Sequence, residues 1–301
     1  MGYDKKPLIV ALGEVLWDVF PDGARLGGAP SNFAVHCAAL GAQGILLSCV
    51  GDDALGRDAV LALSQHNVDT QWIQKDRTRS TGTVPVTLCD GQPSYEIVED
   101  VAWDHIVWQQ EFEALAKSAN AICFGTLSQR SLDSRKTIQL FADATKQDCL
   151  RVLDVNFRQH YHSADVVKHS LALASVVKLN DDEVPILRGY IGGDEDLDEF
   201  LKGLLKRFAL DLVVLTLGAD GCRIFSHGQV VTVAGVSQQV ANTVGAGDAF
   251  TAAFVGHYLN GDDLEVCAGR ANALGGFVTT QDSGTPYLPS EFRIWSDNAN
   301  R

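Results

Sequence analysis

Short, nearly unbroken apolar runs alternate with segments of helical spacing along most of the chain. Residues 8–12, 45–50, 121–124, 152–155, 176–179 and 212–217 carry apolar side chains at almost every position, as strands covered on both faces require. Between them, 30–40, 53–66, 131–146, 165–174 and 194–208 repeat apolar residues at helical intervals. The first of these helices has Pro30 at its start and Gly41 at its end, the punctuation a helix favours. Strand and helix in alternation predict an α/β fold, a doubly wound, mostly parallel sheet flanked by helices.

Two stretches break that rhythm. Residues 15–20 lead into Pro21-Asp22-Gly23 and then Gly27-Gly28, which reads as strand, turn and hinge. Residues 83–88 and 94–98 flank Asp90-Gly91, the signature of a β-hairpin. Neither fits a parallel series, so both are read as a small β lid, about 14–29 and 80–106, over the ligand-binding edge of one domain spanning 1–301. Near the end, 221–225 and 229–233 flank His227-Gly228 as a further hairpin, and helices over 246–259 and 262–280 complete the core. There is no internal repeat and no low-complexity linker.

Composition narrows the partners. The 301 residues are 46% hydrophobic and 21% charged, with 24 Lys and Arg against 38 Asp and Glu, a net charge of -14. Such a surface repels phosphate backbones and anionic membranes, so neither nucleic acid nor a membrane is an expected partner. An anionic ligand would have to be held locally. Cysteines at 37, 49, 89, 123, 149, 222 and 267 are odd in number, lack a Cys-x-x-Cys pair and lie mostly in apolar runs. They read as buried thiols of a reducing compartment. The apolar stretch after the N-terminus, only about six residues, is too short for a signal-peptide core, and a cytoplasmic location is expected.

Candidate chemistry gathers where strands end, the edge at which open α/β sheets bind ligands. After one strand comes Asp154-x-Asn156-x-Arg158, after another Asn180 with Glu183, after a third Thr216, Gly218 and Gly221. The sharpest segment is Asn242-Thr243-Val244-Gly245-Ala246-Gly247-Asp248, running straight into a helix. Gly245 and Gly247 let successive N–H groups converge at a helix N-terminus, an anion site built without Lys or Arg. The helix end would hold Asp248 as its anion, with a low pKa. A weak base suffices for phosphoryl transfer, where positioning and charge stabilisation dominate. The same spacing also fits an ordinary Gly-rich turn with Asp opening a helix.

Taken in order, these segments resemble the ribokinase-like, PfkB-type carbohydrate kinase family over essentially the whole chain. Gly27-Gly28-Ala29-Pro30-Ser31-Asn32 with Ala34 is similar to its first signature, and Val50-Gly51-Asp52-Asp53-Ala54-Leu55-Gly56 to its early motif. Asn180-x-x-Glu183 and Thr243 to Asp248 match later elements, while Gly13 to Asp18 and Asp154-x-Asn156-x-Arg158 resemble the bacterial fructokinase branch. The resemblance implies transfer of the γ-phosphoryl of Mg-ATP to a terminal hydroxyl of a small sugar, fructose first, with ribose, 2-keto-3-deoxygluconate and nucleosides open. Asp248 would be the general base and the backbone of Gly245, Ala246 and Gly247 the anion hole. Asp18, Gly28, Asn32 and Arg158 would bind the sugar, with Asp248. Asn180, Thr216, Gly218, Gly221 and Asn272 would line the nucleotide site with Gly245 and Gly247, and Glu183 would organise Mg²⁺ through water. Lids of this family can also pair between subunits, which implies a homodimer.

One departure stands out. The family usually carries Asp where this chain has Asn242, and often Thr where it has Val244. That Asp helps bind an activating monovalent cation, so the resemblance implies weak or absent use of K⁺. Other chemistries find no support in the sequence. Eight histidines contain no His-Glu-x-x-His, and His160 and His162 have no matching Cys cluster. There is no P-loop, and no Gly-x-Gly-x-x-Gly follows the first strand. The acidic run 194–199 reads as a helix's first turn, and Trp103 and Trp108 as packing residues. A catalytically silent sugar or nucleotide sensor of the same fold is the competing reading, which retention of Asp248, both glycines and Glu183 disfavours.

Overall fold

The computed structural model describes residues 6–89 and 92–296. Its main sheet has nine strands in the order β13-β12-β11-β10-β9-β8-β1-β4-β5. In chain order these are β1 Leu8–Leu12, β4 Gln43–Gly51, β5 Ile73–Asp76, β8 Ala121–Phe124, β9 Leu150–Asp154, β10 Val176–Asn180, β11 Leu212–Thr216, β12 Cys222–Ser226 and β13 Val230–Val233. From β5 to β11 every pairing is parallel, and β12 and β13 close one edge as an antiparallel hairpin. The doubly wound sheet expected from the alternation is present. Leu46, Leu47, Val177 and Val213 are fully buried, which explains the absence of polar alternation in these strands.

Four further strands form a second sheet in the order β3-β2-β6-β7, namely β2 Leu16–Phe20, β3 Gly23–Gly27, β6 Gly82–Cys89 and β7 Gln92–Tyr95. Strand β2 pairs antiparallel with β3 and parallel with β6, so the sheet is mixed. The segment after the first turn, read as a hinge, is strand β3. Strand β7 ends at Tyr95 rather than Val98, although Glu96 and Val98 still donate to Pro85 and Thr83. The Asp90-Gly91 turn lies outside the described residues.

Helices α1 Ala29–Ala39, α2 Ala54–Gln65, α3 Glu111–Ser118, α4 Leu132–Ala144, α5 Ala164–Leu173, α6 Glu183–Ile191, α7 Leu197–Phe208, α8 Ala246–Asn260 and α9 Leu264–Thr279 flank the main sheet. The acidic run does open α7, with Asp196 accepting from the Glu199 amide and Asp198 paired with Arg223 at 2.6 Å. Cys37, Cys49, Cys123, Cys149, Cys222 and Cys267 are free and buried. No described helix is long and apolar enough to cross a membrane.

The 50–56 motif ties this frame to the second sheet. Asp53 caps α2 by accepting from the Gly56 amide, and also accepts the amide and hydroxyl of Thr81, just before β6. A side chain on Gly56 would lie 2.2 Å from the Gly51 carbonyl oxygen. Its glycines therefore serve close backbone approach at the root of β6.

Candidate active site

From β1 the chain steps outward to β4 and β5, then returns to β8 on the other flank of β1. A topological switch point thus falls between β1 and β8, where such sheets place ligands. A pocket lies there, lined by Glu14 beyond β1, Phe124 and Thr126 at the end of β8, Asp154 and Asn156 at the end of β9, and Asp248. Two helix N-termini converge on it.

The first is α1. Gly28 adopts φ +100, and a Cβ on it would meet the Glu14 carbonyl oxygen at 2.6 Å, so only glycine lets the chain pass. Asn32, one turn into the helix and 4% exposed, donates from Nδ2 to Oδ2 of Asp248 at 2.9 Å. The second is α8, capped by Gly245 at φ +78. Ala246 donates weakly to Thr243 at 3.3 Å. The N–H groups of Gly247 and Asp248 have no acceptor among the described residues, as expected of an open helix start.

Behind this start lies a buried network that the sequence reading did not anticipate. Lys178, on β10, sits 3.1 Å from both carboxylate oxygens of Asp154. Thr251 donates to Asp154 as well. A Cβ on Gly247 would lie 3.3 Å from the Lys178 ammonium. A buried ammonium, paired with Asp154, therefore lies behind the glycine turn in which the sequence offered main-chain amides alone. The signal was present, since a lysine inside a strand covered on both faces is almost always paired.

The expected low pKa of Asp248 is corrected too. Burial and the neighbouring Asp154 carboxylate raise it to about 6, against the hydrogen bond from Asn32 and the charge of Lys178. Helix-end stabilisation is worth a fraction of the cost of removing a carboxylate from water. Asp18 on β2 is likewise raised to about 6 by burial, with Arg158 opposing. Burial also raises Glu14, which accepts from the Ser128 hydroxyl and faces the charge of Arg158.

Glu183 is buried and raised by desolvation and by Asp154. It accepts the amides of Phe157 and Asn180, at 3.0 and 2.8 Å, while Asn180 Oδ1 accepts the Glu183 amide. Arg158 is exposed, on a loop in which Asn156 and Gln159 have φ +39 and +46. That loop docks on the second sheet's edge through Gln159 to the Tyr95 carbonyl and Tyr161 to that of Ile97. Thr216 ends β11, and Gly218 and Gly221 follow with positive φ. Asn272 commits its amide hydrogens to the Val233 and Ala234 carbonyls, and its side chain also meets the Cys222 thiol. Trp103 is 1% exposed and stacks under Arg130. Geometrically, Asn32, Asp154, Lys178, Asp248 and Thr251 meet at one end of the pocket; Arg158 acts on Asp248 and Glu14 through charge, and Asp18 is linked to the group only through Arg158.

A family model described as pfkB family carbohydrate kinase matches residues 14–291. A putative sugar kinase of Pyrococcus horikoshii is 31% identical over 94% of this chain and 93% of its own. The fructokinase of Klebsiella pneumoniae is 30% identical over 93% and 96% respectively. Among solved structures, the fructokinase of Vibrio cholerae in its fructose, ADP and calcium ion bound form superposes with TM-score 0.80 at 25% identity, over 94% of this chain and 96% of that one.

Proposed function

The chain belongs to the pfkB family of carbohydrate kinases, and we propose that it transfers the γ-phosphoryl group of ATP to a terminal hydroxyl of fructose. One observation carries the reading: a desolvated carboxylate, Asp248, stands beside free main-chain amides at a helix start, at the switch point of the sheet. With a pKa of about 6, Asp248 is ionised at neutral pH, yet basic enough to accept the hydroxyl proton as the P–O bond forms. In this reading the amides of Gly245 and Gly247, with Lys178 behind Gly247 and with the Ala246 amide once it leaves the Thr243 carbonyl, would face charge developing on the phosphoryl oxygens. Fructokinase relatives support the choice of fructose.

Asp18, Gly28, Asn32 and Arg158 form the sugar side of the cleft in this reading. Thr216, Gly218, Gly221 and Asn180 take the nucleotide side, with Asn272 shaping its wall through Val233 and Ala234. Among the described residues no cluster of three or more His, Cys, Asp or Glu could hold a metal ion. That fits Mg²⁺, which keeps several waters and binds mainly nucleotide phosphates. Each Glu183 oxygen accepts one amide, which leaves lone pairs to orient a water of the ion. Mg²⁺ supplies charge neutralisation on the β- and γ-phosphates when bound. The second sheet serves as the lid that excludes water and as the contact of a homodimer, checked by sedimentation equilibrium.

Coupled ADP release across fructose, ribose, glucose, 2-keto-3-deoxygluconate and adenosine tests the reading. The highest kcat/KM is expected with fructose, and silence with every acceptor would hand the site to a sensor. The Asn242 side chain accepts the Val244 amide at 3.0 Å and brings no charge. Replacing K⁺ by tetramethylammonium should therefore leave turnover almost unchanged. Strong activation by K⁺ would contradict this.

A further inference from the structure

His36 lies on α1 one turn beyond Asn32, the residue that binds Asp248. It is fully buried, and its Nε2 lies 2.9 Å from the Gly284 carbonyl oxygen. A carbonyl can only accept, so Nε2 carries the proton and donates it. Its Nδ1 is buried without a partner, a cost a packing residue would not incur. Burial also pushes the ring down to about 4, so it stays neutral through the working range.

The same peptide lies against the turn that opens α8. A Cβ on Gly245 would fall 2.5 Å from Gly284 O and 2.7 Å from Gly284 Cα. Gly284 also packs on Val244, whose carbonyl oxygen would lie 3.1 Å from a Cβ there. The 284 peptide is therefore wedged between His36 and the hinge from which α8 presents its amides. One helix thus touches both halves of the machinery, Asp248 through Asn32 and the Gly245 hinge through His36.

We propose that His36 is a positioning residue for phosphoryl transfer, its Nε2–H holding the Gly284 carbonyl against the Gly245 hinge so that the α8 amides meet the transferring group. The proposal rests on the kinase reading, and its test separates the two. His36→Leu keeps an apolar volume without a donor, and His36→Gln keeps an N–H at similar reach. For His36→Leu, kcat should fall by up to about 10²-fold, the scale of a small misplacement at a reacting centre. Fructose affinity by calorimetry and the thermal midpoint should stay near wild type. His36→Gln should recover most of the turnover.

Nuclear magnetic resonance supplies a readout independent of activity. Wild type should show a slowly exchanging His36 Nε2–H signal, and the amide shifts of Gly245 and Gly247 should move in His36→Leu and return in His36→Gln. The proposal is overturned if the leucine variant turns over like wild type, if the glutamine variant is equally impaired, or if both glycine amides ignore the substitution. Loss of stability and sugar binding in step with kcat would make His36 merely structural, which also overturns it. Should wild type transfer no phosphoryl group, the kinase reading fails, and the glycine shifts still decide whether His36 holds the hinge.

Discussion

At the scale of the residue, the proposed role of Asp248 as general base sets the expected pH behaviour. Its carboxyl is raised from 3.8 to about 6, so kcat/KM should climb as pH rises through about 6 and level off above it. Asp18 titrates in the same range and will steepen that limb. Stability runs the other way. A carboxyl that binds its proton more tightly when folded contributes stability that is complete below the unfolded value and lost as pH rises through the folded one. Asp248→Asn should therefore melt above wild type at about pH 7, with the gain vanishing near pH 4. Thermal melts across that range check the sign, and a gain independent of pH would refute it. The identity of Asp248 was legible in the sequence because glycines at 245 and 247 precede it on the threshold of a helix. Its basicity was not, since that comes from burial in the assembled fold and from Asp154 on a distant strand, with Asn32 and Lys178 opposing.

The decisive element is the start of α8. Gly245 sits at φ +78 with Gly284 against its open face, so Gly245→Ala adds left-handed strain of about 1–2 kcal/mol to a steric clash. Denaturant unfolding should show at least that loss, and kcat should fall with it because the amides turn away. A variant as stable and as active as wild type would mean that the hinge geometry is wrong. Long periodic elements such as 30–40 and 194–208 were legible in the sequence, through their caps and their apolar spacing. Short ones escaped. Strand β3, Gly-Ala-Arg-Leu-Gly, is largely exposed and gains its identity from pairing with β2. Strand β5, Ile-Gln-Lys-Asp, is formed by its register with β4. Helices α3 and α6 span only Glu111–Ser118 and Glu183–Ile191, about two turns each, too few for periodicity to stand out.

For the molecule as a whole, chain order alone gave the doubly wound sheet, because continuous apolar strands can be stable only between helices. It did not give the switch point, which requires knowing that β8 returns to the flank of β1. That return brings Glu14, Asp154 and Asp248 around one pocket, and removal of the sugar hydroxyl proton by Asp248 is the proposal on which the functional account depends. The most direct test sets Asp248→Asn beside wild type, measuring single-turnover phosphoryl transfer to fructose together with fructose affinity. Affinity within a few fold of wild type and a transfer rate lower by about 10²–10⁴-fold are predicted, the usual contribution of a general base. Undiminished transfer in the variant would contradict the account.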